Sequence, residues 1–295
     1  MSDSASLCQL TALSVIGAVG HRHSRSPPPR MGRMDYAMGR TDSETQRLML
    51  QGELYRQHSQ HLFTVAGIGP GMRVLDVGCG AGDVSLVIAD LVGPTGSVVG
   101  VDADPAVLDV ARDRTRHLSN VEFHQALLPE IELDGPVDAV VGRLILIHLP
   151  DPAGAVRALS KHVRPGGVVT FQDFEMDTAR SAPPTPLATT CIDWIRGSLR
   201  ASGAHPNPGE AMHDILRRAG LAVTGIAGSR PAGDADSPNV VHLAATAASL
   251  APLIEKAGLA TVAEIDAPTL LDRLRAELAD AVLYSPELIG AWARV

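Results

Sequence analysis

Met72-Arg73-Val74-Leu75-Asp76-Val77-Gly78-Cys79-Gly80-Ala81-Gly82-Asp83 runs directly into Val84-Ser85-Leu86-Val87-Ile88-Ala89. A short apolar run that meets three alternating glycines and passes into a helical pattern reads as a buried strand, a tight turn and a helix. Glycine suits such a turn because its missing Cβ permits positive φ and lets a ligand approach the main chain. The spacing of Gly78, Gly80 and Gly82 is G-x-G-x-G, unlike the G-x-G-x-x-G of dinucleotide sites, and no Lys-Ser or Lys-Thr follows as a P-loop requires. About twenty residues on, Ser97-Val98-Val99-Gly100-Val101-Asp102 gives a second strand ending in an acid, placed to accept both hydroxyls of a ribose. Acids and glycines surround the turn, and no Lys or Arg is aimed at a phosphate. A cofactor without phosphate and with a positive centre suits that balance.

VLDVGCGAGD followed by VVGVDAD resembles the class I S-adenosylmethionine-dependent methyltransferases. The resemblance implies an α/β fold: a doubly wound, seven-stranded, mostly parallel Rossmann-like sheet with a helical N-terminal lid and a helical insert near the C-terminus. It implies S-adenosyl-L-methionine as cofactor. Gly78, Gly80 and Gly82, with Cys79 packed among them, would then pass under the methionine part, Asp76 would sit near its amino group, and Asp102 with Ala103 would hold the ribose. After the third strand, Asn120 to His124, the family often carries an acid for the adenine amino group. Here Gln125-Ala126-Leu127 stands instead, leaving that contact to the Gln125 amide or to the main chain of Ala126 or Leu127. The fourth strand, 137–142, leads into a segment whose main chain touches the methionine end in the family. Arg143 is placed there to reach the cofactor carboxylate or to structure the loop, and His148 stands where the family often has histidine.

The implied reaction is in-line transfer of a methyl group to a small acceptor. His148, Tyr36, His58 and Asp173 are the candidates, in that order, for orienting or deprotonating it. Gln172, Asp173 and Glu175 end the fifth strand, at the sheet edge where open α/β folds bind ligands. An aromatic or heteroaromatic metabolite, such as an indole, is the expected acceptor. O- or N-methylation, a quinone or lipid-like acceptor, and a non-catalytic S-adenosylmethionine-binding protein are the alternatives.

Composition narrows the field. With 295 residues, 45% hydrophobic and 20% charged, the chain has the material for one large α/β core with additions. A net charge of −8 with 3% aromatics opposes a nucleic-acid partner, which needs a basic face and stacking platforms. Cys8, Cys79 and Cys191 form no C-x-x-C pair, so neither a disulfide framework nor a zinc knuckle is indicated, and a reducing cytoplasm is expected. His58 and His61 are spaced like metal ligands but have no third partner nearby, so no metal is expected.

Four segments are expected. Residues 1–33 read as a disordered extension: the apolar run Leu10 to Val19 is too short to span a bilayer, and its positive residues follow rather than precede it. Residues 34–66 read as a helical lid offering Tyr36, Gln51, Tyr55 and His58. Residues 67–182 form the cofactor-binding core, in which Pro165-Gly166-Gly167 makes a turn before a fifth strand from Val168 to Phe174. Residues 183–295 supply cap helices and the last strands. Within them an insert near 231–282 is expected to hold helices at Val240 to Gly258 and Pro268 to Leu283, and the final strand runs from Leu288 to Arg294. The insert would cover the pocket or build a dimer contact.

Overall fold

A computed structural model describes residues 42–295, so Tyr36 and the 1–33 segment lie outside the described residues. Two helices come first, α1 (Asp42–Leu54) and α2 (Arg56–Ala66). The core then alternates β1 (Arg73–Val77), α3 (Asp83–Val92), β2 (Ser97–Asp102), α4 (Pro105–Thr115), β3 (Val121–Gln125), β4 (Val137–Arg143), α5 (Pro152–Ser160) and β5 (Val163–Glu175). Beyond it lie β6 (Arg180–Ala182), α6 (Pro186–Ala201), α7 (Pro208–Arg218), β7 (Ala222–Ser229) and β8 (Ala232–Gly233). The chain continues through α8 (Pro238–Ser249), α9 (Ala251–Lys256), α10 (Val262–Ile265), α11 (Ala267–Glu277), β9 (Val282–Tyr284) and β10 (Glu287–Arg294).

Seven strands form one sheet in the order β3-β2-β1-β4-β5-β10-β7. The pairs from β3 to β5 are parallel, and β10 runs antiparallel between β5 and β7. The expected doubly wound, mostly parallel sheet is therefore present. Its central strands are mostly apolar because helices cover both faces. On one face Val74, Ala139 and Val141 pack against Phe63 of α2 and Val84 and Ile88 of α3. On the other, Leu75, Val77, Val140 and Phe171 pack against α5 and α7. The change of strand order beside β1 opens the crevice at the carboxyl edge.

Four local expectations are corrected. The described part of the lid is two helices broken at Tyr55, which has φ −96° and ψ 3°. Its ring is buried 4.8 Å from that of Phe174, and its hydroxyl donates to the Pro286 carbonyl at 2.9 Å, so Tyr55 is a packing anchor. The fifth strand starts at Val163 instead of Val168. The Pro165-Gly166-Gly167 stretch is a bulge within it, across which the partners of β4 jump from Val163 to Val168, and the Gly166 amide bonds the Val295 carbonyl at 2.7 Å. The expected helix from Val240 to Gly258 is α8 and α9, interrupted where Pro252 lacks an amide to donate. The expected helix to Leu283 stops at Glu277, because Val282–Tyr284 pairs with β6 and β8 in a small antiparallel sheet.

The cap has its own hydrophobic core. Ile192 and Ile195 of α6 meet Val240 and Leu243 of α8, Ile254 of α9 and Leu274 of α11. Helix α1 bridges this unit to the sheet. A Cβ on Gly52 would come within 2.6 Å of Asp83 Cγ at the start of α3, while Gln51 Oε1 lies 3.4 Å from His242 Nε2 on α8. Glycine at position 52 is what allows α1 to lie this close over the first turn of α3.

Phe63 is fully buried where α2 seats on the sheet. Phe63→Ala is expected to lower stability by about 3–5 kcal/mol in urea unfolding, through lost burial and the cavity left behind.

Candidate functional site

β1 delivers its acid, Asp76, into the interior. Its Oδ2 accepts a hydrogen bond from Ser85 Oγ on the first turn of α3 at 2.6 Å, and its buried Oδ1 has no partner. Burial pushes the carboxyl pKa up to about 7, against the Ser85 bond and the nearby Arg143 charge, which both pull it down. A half-satisfied buried acid next to a turn marks a place where a donor, best a cation, completes the set.

The glycine turn frames that place. Gly80 sits at φ 53°, and a Cβ built on it meets nothing within 4 Å. The conformation thus demands glycine and the space above it is open. The Asp102 carboxylate closes the turn from β2, accepting from the Gly80 amide and from the Asp104 amide, each at 3.0 Å. Each carboxylate oxygen keeps a further lone pair for a ligand hydroxyl. Gly78 lies against Ile145 of the loop after β4, which a Cβ would strike at 2.5 Å. Cys79 is buried, bonds Val101 through its amide at 3.0 Å, and has a thiol pushed far up by burial, in keeping with packing. Arg114 clamps the turn from outside, donating to the Ala81 carbonyl at 2.6 Å and to Asp83 at 2.7 Å.

On the adenine side, the Gln125 amide donates to the Ala103 carbonyl at 3.0 Å, and the Ala126 amide bonds the Asp102 carbonyl at 3.0 Å. Gln125 is therefore occupied in holding the two loops together. Leu127 beside it is 48% exposed, an apolar surface next to the ribose acid.

The tips of β4 and β5 form the other half. Arg143 is half-buried, and its guanidinium, stripped of enough water to lower its pKa, donates to Ser59 Oγ on α2 at 3.0 Å. Leu144 follows at φ 57°, a strained conformation for a leucine, its amide bonded to the Gln172 carbonyl at 2.9 Å. A short 3₁₀ turn then carries His148. Its ring makes no hydrogen bond among the described residues; it keeps an exposed edge, yet crowding by the loop depresses its pKa. Gln172 is buried, with Nε2 donating to the Ser59 carbonyl at 3.2 Å and Oε1 unpartnered. Asp173 points to the opposite face, where α7 packs on its register partner Ile289. Its Oδ1 accepts from the Phe174 amide, its Oδ2 has no partner, and burial raises its pKa to about 7.

Asp76, Gly78, Cys79, Gly80, Gly82, Asp102, Ala103, Gln125, Ala126, Leu127 and Arg143 thus lie along one carboxyl edge. His58 is drawn aside: its Nδ1 lies 2.7 Å from Ser229 Oγ on β7, the edge strand furthest from β3. Tyr36 falls outside the described residues. Among these, no group of three or more His, Cys, Asp or Glu side chains gathers as a metal would need. Ser59 and Ser85 went unread in the sequence. Ser85 carried a usable signal, a hydroxyl one helical turn past the glycines, whereas Ser59 carried none.

The donor set fits S-adenosylmethionine. The half-satisfied carboxyl of Asp76 would suit an ammonium, the Asp102 carboxylate a diol, and Arg143 a carboxylate. A phosphate is opposed, because Asp83 occupies the first turn of α3 where a phosphate would seat. Residues 68–195 match a family model described as a methyltransferase domain. The chain is 32% identical over 173 residues to the ubiquinone biosynthesis O-methyltransferase of Acinetobacter baylyi, covering 55% of this chain and 68% of that protein. It is 32% identical over 149 residues to the ubiquinone/menaquinone biosynthesis C-methyltransferase UbiE of Ectopseudomonas mendocina, covering 49% and 56%. This chain therefore spans little more than half the length of that relative. The crystal structure of the YcgJ protein from Bacillus subtilis shares the fold, with a TM-score of 0.50 at 20% identity, covering 81% of this chain and 99% of that one.

Gly80→Val and Asp102→Ala are each expected to abolish measurable S-adenosylmethionine binding in calorimetry, the first by filling the open space and straining φ, the second by removing the diol acceptor. A pH dependence follows from Asp76. Its folded pKa of about 7 exceeds the unfolded value, so the folded state without ligand holds a proton that the unfolded chain releases, and stability falls as pH rises towards 7. A cationic ligand favours the ionised form, so its affinity rises as pH climbs through about 7. Asp76→Asn is expected to flatten this affinity profile in titrations across that range.

Proposed function

Because this chain belongs to the class I S-adenosylmethionine-dependent methyltransferases, we propose that it transfers a methyl group to a small aromatic acceptor carrying an acidic hydroxyl. The observation that carries the reading is the glycine turn, open at Gly80 and flanked by the Asp102 carboxylate, with the buried, unpartnered Oδ1 of Asp76 on the strand that leads into it. When bound, the cofactor supplies an activated methyl on a sulfonium, a good leaving group. Asp102 takes the ribose hydroxyls, Leu127 and the Ala126 main chain flank the adenine, Asp76 receives the ammonium, and Arg143 the carboxylate. The protein's remaining task is alignment, worth roughly 7–11 kcal/mol in favourable cases.

His148 is the base where the acceptor must lose a proton. Its depressed pKa keeps the imidazole neutral at neutral pH, and its exposed edge is open to an entering acceptor. Asp173 is set back on the other face, where α7 packs on its register partner Ile289, and suits support of the strand tip. The names of the two quinone-pathway relatives support a phenolic or quinol ring over an indole. A base at His148 agrees, since a phenol has a proton to give in the reaction and an indole carbon loses one only after attack. The net charge of −8 supports a small acceptor over a nucleic acid.

Purified protein with methyl-labelled cofactor is expected to label catechol or hydroquinone derivatives in preference to indoles. Absence of label in every phenol tested would overturn the acceptor class, and binding without any transfer would favour a non-catalytic protein. His148→Ala is expected to lower kcat about 10²–10⁴-fold with little change in cofactor affinity. In the parent, kcat should fall only as pH drops below the ordinary histidine range, where the depressed imidazole takes up its proton.

A further inference from the structure

Helix α2 meets the tips of β4 and β5 through Ser59. Ser59 is fully buried; its Oγ accepts from Arg143 Nη1 at 3.0 Å, and its carbonyl accepts from Gln172 Nε2 at 3.2 Å. Arg143 and Gln172 are register partners on β4 and β5, so a single serine fastens two adjacent strand tips.

The bond to Ser59 is the one side-chain hydrogen bond of Arg143 among the described residues, and no described carboxylate forms an ion pair with it. A guanidinium has five N–H donors in a planar fork. None of the remaining donors is a buried atom without a partner, so they are not sealed in the interior, and the charges of Asp83 and Asp76 act on the guanidinium from a distance, which leaves the fork able to take an anion. The vacant Oδ1 of Asp76 lies on the same face of the sheet. Asp76 pairs with Val141 on β4, two residues before Arg143, which places the two Cα atoms about 8 Å apart. An acid and a base that far apart, both short of partners and not bonded to each other, complement a group with both charges: an α-amino acid end. Ser59 brings no charge of its own. Its hydroxyl instead sets the plane of the fork, and a bidentate carboxylate contact depends on that plane.

We propose that Ser59 is a positioning residue through which helix α2 aims Arg143 at the carboxylate of the cofactor's amino-acid end, so that seating of α2 and capture of that carboxylate are one event. The inference rests on the cofactor reading above and deepens it. S-adenosylhomocysteine and methylthioadenosine separate the two, because both are neutral adenosyl thioethers and they differ in the amino-acid end.

Calorimetry on the full chain with both compounds is the test. Ser59→Ala is expected to weaken S-adenosylhomocysteine about tenfold and to leave methylthioadenosine within about twofold of the parent. Ser59→Thr, which keeps the hydroxyl, restores the parent affinity. In an Arg143→Lys background, Ser59→Ala has no further effect on S-adenosylhomocysteine, because the two residues act as one unit. Should the alanine variant unfold, Ser59→Cys is the substitute of similar volume with weaker hydrogen bonding, and the same selective loss is expected. Equal weakening of both compounds, or no change in either, overturns the inference and leaves the cofactor reading standing. A parent protein that binds neither compound overturns both.

Discussion

A carboxyl group has been taken out of water at Asp76 and given one serine hydroxyl in return. Leaving a buried acceptor unmatched costs about 1–3 kcal/mol, more if it is charged, so the surrounding structure has to be stable enough to hold it. The surroundings do so by rigidity. Val74, Leu75 and Val77 lock β1 between two helical layers, Ser85 is fixed by the first turn of α3, and Arg114 clamps the intervening turn. The glycines let the chain reverse close beside the acid without a side chain filling the space. The edge is therefore preorganised for a cation before one arrives, and binding does not have to bear the cost of building it.

The same logic extends along the sheet edge, where each strand tip contributes a different chemistry. β2 offers a carboxylate already steadied by two amides, β4 a desolvated arginine, and β5 an amide and an acid on opposite faces. Parallel strands with short loops bring these tips into register. Under the proposed reading, a cofactor lying across the tips would meet a partner for its diol, its ammonium and its carboxylate in sequence. The strained φ of Leu144 lies at the centre of this row, where the chain must leave β4 abruptly and let Ile145 lean on Gly78.

Much of this was legible in advance, for identifiable reasons. The strands of the core are largely apolar runs punctuated by glycine and acid, and such runs mark them as strands, while the arrangement of the sheet was legible through the family resemblance. Asp76, Gly80 and Asp102 were legible because turn chemistry depends on local sequence. Other features depend on contacts distant in sequence. Nothing in the residues around Ser59 indicates that it will meet Arg143 and Gln172 from across the fold. Tyr55 broke a helix that its neighbours favoured because its ring and hydroxyl found Phe174 and Pro286, far along the chain. Val282–Tyr284 was hidden for a different reason: a three-residue strand has no measurable period, and it exists only because β6 and β8 flank it. His58 looked like a site residue by its lid position and is instead tied to Ser229 on an edge strand.

The place of β10 has a consequence for how the molecule is made. Glu287–Arg294 slots between β5 and β7 and pairs with both, although it follows both in the chain across the whole cap. Until it emerges from the ribosome, β5 exposes a bare row of amides and carbonyls, and β7 has no neighbour at all. A nascent chain in that state offers two open edges to any passing extended peptide. Both edges close only once β10 has been made and has paired with them, after the glycine turn and the loops that follow β2 and β3 are complete.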